Sequence, residues 1–377
     1  MSELMNTTVR GPSIRRKLLS TVSASALVVF LGATGKADAA SDDADRPTIW
    51  IELGGQLEQF APTEDPFAPP FLLKMPRPSF ETIYPLDAER PPRFAIGENA
   101  KLTFQPEGSD WVFSAAIRYG RSNGNRVAHQ QTVFPTIVLG SNFHLVPEFD
   151  NYATTKVKHD ENHGVADFQV GKDVGLGMFG QNSTSTVSLG VRFAQFASKT
   201  SVDIRERPDL HTNDKLPPPF NKIVKYYHAY HLSGHSERNF HAVGPSLSWN
   251  ASTPFAGNPE SAEFTFDWGV NAAVLFGRQK AKVSHQTTGR YVKVLHGKYL
   301  GPPYENSPSP RNSARSVMIP NVGGSAGISL KWPNAKISLG YRADFFFDAV
   351  DGGIDKRVSK TLGLNGPYAS LSVGIGD

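Results

Sequence analysis

Ten segments of this 377-residue chain carry apolar residues at every second position, and the connections between them alternate long and short from first to last. A strand with lipid on one face and a polar lumen on the other must alternate with period two, because successive side chains point to opposite faces. The fold class expected is therefore an all-β, transmembrane, antiparallel up-and-down β-barrel of about ten strands, with eight to twelve compatible with the weaker segments. No run beyond Leu31 approaches the length of a helical span, and mean hydropathy is −0.32. A closed barrel is the other structure that satisfies its own backbone in lipid.

The clearest segments set the parity. Trp111, Phe113, Ala115, Ile117 and Tyr119 share one face, with Ser114, Ala116, Arg118 and Gly120 on the other. Phe264, Phe266, Trp268, Val270, Ala272, Val274 and Phe276 alternate in the same way with Thr265, Asp267, Gly269, Asn271 and Ala273. Two segments meet at Pro333-Asn334, a turn tight enough to fix their register. Three segments are weaker. Arg93 to Phe104 puts Glu98 among lipid-facing residues, which suggests a bulge at Gly97. Val165 to Leu176 carries Lys172 outward, snorkelling to the periplasmic rim, and Phe240 to Ala251 holds Pro245, which cannot donate to a ladder.

Residues 105–110, 177–185, 252–261 and 333–335 read as short periplasmic turns, and 61–92, 121–163, 198–237, 279–316 and 348–366 as long extracellular loops. The Pro-rich 61–92 connection resists regular structure and is expected to fold into or over the barrel mouth. Residues 1–39 read as a cleaved signal peptide: a basic stretch (Arg10, Arg15, Arg16, Lys17), an apolar stretch from Leu18 to Leu31, and an Ala37-Asp38-Ala39 cleavage site. Residues 40–377 form the barrel. Without the leader the chain loses five of 39 basic and two of 35 acidic residues, so its net charge falls from +4 to +1. The pI near 9.0 is then no sign of a nucleic-acid partner. Cysteine is absent, which excludes disulfides, thiolate metal sites and cysteine nucleophiles.

Asp167-Phe168-Gln169-Val170-Gly171-Lys172-Asp173-Val174-Gly175, Ser188-Leu189-Gly190-Val191-Arg192-Phe193-Ala194-Gln195 and Val243-Gly244-Pro245-Ser246 resemble segments of the Legionella-type major outer membrane proteins. The layout, including Trp50-Ile51-Glu52-Leu53-Gly54-Gly55, also looks like that of alphaproteobacterial outer-membrane proteins. The resemblance implies a pore-forming barrel in the outer membrane of a Gram-negative bacterium. The chain ends Gly374-Ile375-Gly376-Asp377, without the terminal aromatic residue that barrel assembly machinery recognises in many such proteins. The partners expected are outer-membrane lipid and lipopolysaccharide, and the assembly machinery during biogenesis; an oligomer is compatible with the pattern.

Strand parity points eight charged residues into the lumen: Glu52, Lys101, Arg118, Asp167, Arg192, Asp267, Arg342 and Asp344. In an open, water-filled barrel these set ion selectivity; in a closed one they pair across the lumen, Arg118, Arg192 and Arg342 against Asp267, Asp344 and Glu52. The leading expectation is a porin-like protein passing small hydrophilic solutes or ions without cofactor or catalysis. A closed barrel working as an adhesin or structural surface protein is the alternative, and a barrel-mouth hydrolase the third. Three further patterns are weighed and set aside: His228, His231 and His235 as a metal site, His159-Asp160 as a reversed omptin-type pair, and His235-Ser236 as a lipase pair. Each reads more simply as exposed loop.

Overall fold

The computed structural model describes residues 48–61, 95–106, 109–134, 149–174, 184–210, 225–258, 261–295, 298–300 and 303–375. The leader expected over residues 1–39 and, past Ala61, the Pro-rich connection lie outside the described residues. The elements are β1 (Thr48–Ala61), β2 (Ala95–Gln105), β3 (Trp111–Phe134), β4 (Phe149–Asp173), β5 (Thr184–Leu210), β6 (Lys225–Asn258), β7 (Ala262–Leu295), β8 (Lys298–Leu300), β9 (Pro303–Asn306), β10 (Arg311–Trp332), β11 (Ala335–Asp351) and β12 (Ser359–Ile375). Each of the ten long strands pairs antiparallel with two neighbours; β7 meets β10 and β12 meets β1, so the sheet closes on itself. The short β8 and β9 add to the far end of β7. This is the ten-stranded transmembrane barrel that the alternation requires.

The lipid-facing belt is a continuous outward band of large apolar side chains. It includes Leu53 and Leu57 on β1, Trp111 to Tyr119 on β3, Leu189 to Phe193 on β5, Phe264 to Phe276 on β7 and Leu371 to Ile375 on β12. Trp249 and Trp268 pack edge-to-face at 5.0 Å on the outer surface, and the Trp249 indole donates to Ser185 Oγ at 2.8 Å. Aromatics with a polar handle suit the membrane–water boundary, where one end is apolar and the other wet.

Four of the stretches expected as long loops continue largely as paired strand. β6 and β7 are 34 residues each, about three times the 9–11 that a tilted strand needs to cross the hydrocarbon. The alternation does not stop where the lipid ends; it inverts. Along β5, Phe193 is the last large apolar residue facing out, and thereafter Lys199, Ser201 and Arg205 face out while Phe196, Val202 and Ile204 are buried inside. β7 does the same, with Arg278 and Lys282 outward and Leu275, Ala281 and Val283 inward. Walls that stand clear of lipid need water on the outside and a core within, and the pattern supplies both.

The three weak segments resolve individually. No bulge lies at Gly97: β2 pairs in unbroken register with β1 and β3, and Glu98 faces outward opposite Tyr119, next along the strand from the Leu57–Ile96 pair. Lys172 does reach the rim, with its ammonium 3.6 Å from Asp110 and 6.0 Å from the Trp111 ring centre. Around Pro245 the β6–β7 pairing lapses between Val243 and Ser246 and resumes in the same register. The missing N–H of proline explains that gap.

Candidate functional site

Inward side chains lie in layers along the barrel. At its short-turn end Asp267 on β7 accepts from Ser252 Oγ at 2.6 Å and Thr265 Oγ1 at 3.2 Å, and pairs with Lys336 of β11 at 2.7 Å. Ser329 of β10 also donates to it. Nearby, Arg342 lies over the Tyr368 ring, 5.0 Å from its centre, and the Asn99 side-chain amide donates to Glu52 at 3.4 Å. Lys101 stands directly across from Glu52 in the β1–β2 register.

A second polar layer spans the lumen. Arg192 on β5 grips Asp167 on β4 through Nε at 2.6 Å and Nη2 at 3.0 Å, and its Nη1 donates to Asn271 of β7 at 2.6 Å and to Asn321 of β10. Arg118 on β3 pairs with Asp344 on β11, and Asn271 Nδ2 lies 3.4 Å from the same carboxylate. Strands β3 and β11 are not neighbours, so the Arg118–Asp344 pair crosses the interior. Two buried cations with carboxylate and amide partners are stabilised by bonds that water would otherwise supply.

The partner assignments expected from parity change in detail. Arg118 takes Asp344, one of the three acids set against the arginines, whereas Arg192 takes the neighbouring Asp167, Asp267 takes Lys336, and Arg342 stacks on Tyr368. Glycines make the room. A Cβ at Gly323 would collide with the Asp344 carboxylate, and one at Gly120 with both His163 and Glu58. That last pair, His163 Nε2 to Glu58 Oε2 at 3.1 Å, is almost wholly buried inside the wall.

Toward the long-strand end the interior turns apolar. Val165 (β4), Ala194 and Phe196 (β5), Phe240 (β6), Leu275 (β7), Ile319 (β10), Phe346 (β11) and Leu364 (β12) form part of a single buried cluster. Phe196 stacks on Phe240 at 5.5 Å and meets Phe346 edge-on at 4.7 Å. β5 and β11 stand four places apart in the ring, so the Phe196–Phe346 contact runs across the lumen.

A short connection, residues 352–358, closes over this cluster. Asp351 Oδ1 accepts from the backbone N–H of Gly353 at 3.1 Å and of Val358 at 3.3 Å, and its other oxygen pairs with Arg311 of β10 at 2.8 Å. Arg311 also donates to the carbonyls of Gly353 and Ile354, both at 2.7 Å, and Arg238 of β6 to that of Asp351 at 2.9 Å. His285 of β7 meets Asp355 at 2.9 Å. Burial pushes the Asp351 carboxyl up, but the Arg311 hydrogen bond, the Gly353 N–H and the Arg311 charge outweigh it and hold it below the usual carboxylate range.

The patterns set aside in the sequence fall on paired strand, not loop. His231 pairs with Asp203 at 2.7 Å and His235 with Ser201 at 3.0 Å; His228 lies among residues whose side chains are outside the described set. His159 faces in, 2.8 Å from both Glu161 and Thr200, while Asp160 faces out toward Arg121. Ser236 is fully buried and His235 exposed. Neighbours in a strand point to opposite faces, so neither pair can act as a unit.

Residues 89–375 match the model of the family described as Legionella pneumophila major outer membrane protein precursor. The chain belongs to that family. Its members' description and the closed barrel together make this an outer-membrane barrel protein. No curated protein matches this member of the Legionella outer membrane protein family. Among solved structures it is similar to a bacterial polysaccharide outer membrane secretin (8% identity, 89% of this chain and 99% of that one, TM-score 0.18). It is similar also to the CymD monoaromatic hydrocarbon channel (8%, 88% and 89%, TM-score 0.18) and to the Pseudomonas putida toluene transporter TodX (8%, 89% and 90%, TM-score 0.16). Likeness at these scores carries no argument about function.

Parity placed Asn271 and Asn321 on the inward face without giving them a role; among the described residues of this family member it did not single out Lys336, Glu58, His163 or the large apolar residues of the buried cluster. One signal was available. Phe345-Phe346-Phe347 places aromatics on both faces of one strand, which a water-filled lumen does not explain.

Proposed function

We propose that this barrel is closed along its lumen and serves as a structural surface protein, holding its tall walls beyond the outer face of the membrane. The Phe196–Phe346 contact carries the reading, because two rings 4.7 Å apart from strands four places apart leave no water-filled path between them. The polar layer below and the 352–358 connection above add further obstruction. Export through the leader at residues 1–39 and extracellular placement of the long-strand end belong to the same reading. No step of it needs catalysis or a cofactor.

Passage of small hydrophilic solutes or ions is the second reading. It is favoured by the periplasmic half of the lumen, where Ser246, Ser248, Ser329, Ser338, Ser370 and Ser372 face in and give a polar vestibule. On that reading the eight charged residues govern selectivity once the apolar layer moves. Purified protein in planar bilayers separates the two. A closed barrel gives no discrete conductance steps until Phe196, Phe240 and Phe346 are replaced together by Ala; discrete steps from the unaltered protein make solute passage the function.

A further inference from the structure

Immediately beyond the lipid belt, the outward face of β7 carries Arg278, Lys280 and Lys282 at consecutive outward positions. Below them on the same face are Val274, 40% exposed, and Phe276, 54% exposed, and beside these stand Val243 of β6 and Met318 of β10. His241 of β6 stands opposite Arg278. On the β10 side the facing residues are Ser316, Ala314 and Asn312, which bring no charge. On the β6 side the one acid in register is Glu237, whose carboxylate is already engaged by Lys199 at 3.2 Å. Among the described residues, Arg278, Lys280 and Lys282 form no ion pair with a carboxylate.

The placement matters more than the count. Outward residues at i, i+2 and i+4 of a strand are separated by about 6.5–7 Å each, so three cations make a ladder rising from the edge of the hydrocarbon into the headgroup layer. Three unpaired like charges in a row are unfavourable on a bare wall, and an anionic partner at that height relieves the repulsion. A polybasic strip at an interface attracts anionic lipid headgroups additively, charge by charge.

We infer that Arg278, Lys280 and Lys282 bind the phosphate groups of lipopolysaccharide in the outer leaflet, whose acyl chains pack on Val274, Phe276 and Met318. Two features of one ligand are recognised: phosphate by the ladder and hydrocarbon by the belt. Arginine donates to phosphate oxygens through a bidentate fork, and the lysines act as point charges. The inference rests on the long-strand end facing the exterior, which the cysteine labelling in the Discussion tests separately.

The test uses the full barrel folded in detergent, with bisphosphorylated lipid A as probe and the same lipid stripped of phosphate as comparison. Affinity is measured by native mass spectrometry, and folding by circular dichroism. The triple variant R278Q/K280Q/K282Q is expected to bind the bisphosphorylated probe on the order of 100-fold more weakly, and raising salt to weaken the unaltered protein toward it. The double variant K156Q/K158Q, which removes outward charge on β4, is expected to keep its affinity. Equal binding of the dephosphorylated lipid, retained affinity in the triple variant, or an equal loss in the β4 variant would each overturn the assignment.

Discussion

Arg192 holds Asp167 with two guanidinium nitrogens, at 2.6 and 3.0 Å, while its remaining nitrogen reaches Asn271, two strands away on β7. Truncation leaves the Asp167 carboxylate buried without its cation. Arg192→Met should therefore destabilise the folded barrel by about 3–5 kcal/mol, read from urea unfolding in detergent micelles. The double variant Arg192→Met/Asp167→Leu should recover a large part of that loss, because no charge is then left uncompensated. Losses that simply add would show that the two side chains do not share their stability.

The apolar layer makes a separate demand. Phe240 is 2% exposed and packs on Phe196 inside the wall, so Phe240→Ala should cost about 3–5 kcal/mol through lost burial and the cavity left behind. Val127 on β3 is 66% exposed beyond the belt, and Val127→Ala should change stability by no more than about 0.5 kcal/mol. Similar unfolding midpoints for the two variants would mean that the interior around Phe240 holds water.

The barrel was legible from period two alone in the lipid-facing segments, and its ten strands follow from that count. Strand length was not, because beyond the lipid the outward set becomes Lys199, Ser201, Asp203 and Arg205, and a search for outward apolar residues ends at Phe193. The same residues read in the opposite sense, with Thr200, Val202 and Ile204 inside, continue the strand. The charged residues of the lumen were visible by parity, whereas their partners were not. Whether Arg192 meets Asp167 or Asp267 depends on side-chain reach across the interior, which strand alternation does not encode.

Acid should loosen the connection at 352–358 before it affects the barrel. Asp351 is depressed in the folded protein, so its contribution to stability is full above the ordinary carboxylate pKa and disappears as pH falls through its lower folded value. Protection of the Gly353 and Val358 amides, taken relative to the intrinsic exchange rate at each pH, should therefore be high near neutrality and fall only below about pH 4. Asp351→Asn keeps a similar shape but loses the charge facing Arg311, so its protection should already be low at neutral pH and lose that acid-dependent step. An unchanged profile in this variant would transfer the anchoring role to His285 and Asp355.

Orientation is the relationship on which the surface role depends, and the cysteine-free sequence makes it directly measurable. Asn123, on β3 beyond the belt, and Ser309, exposed before β10, stand at the long-strand end, while Asn334 occupies the two-residue turn at the opposite end. Short turns face the periplasm in bacterial outer-membrane barrels, and the walls built from β6 and β7 are too tall to be covered by the bilayer. With a single cysteine in each variant, Asn123→Cys and Ser309→Cys should react with a membrane-impermeant maleimide on intact cells, and Asn334→Cys only after the outer membrane is opened. Labelling of Asn334→Cys alone would invert the barrel and move the basic ladder of β7 to the inner leaflet, where lipopolysaccharide is absent. The proposed closure of the lumen does not turn on this outcome, because the Phe196–Phe346 contact is the same whichever end faces out.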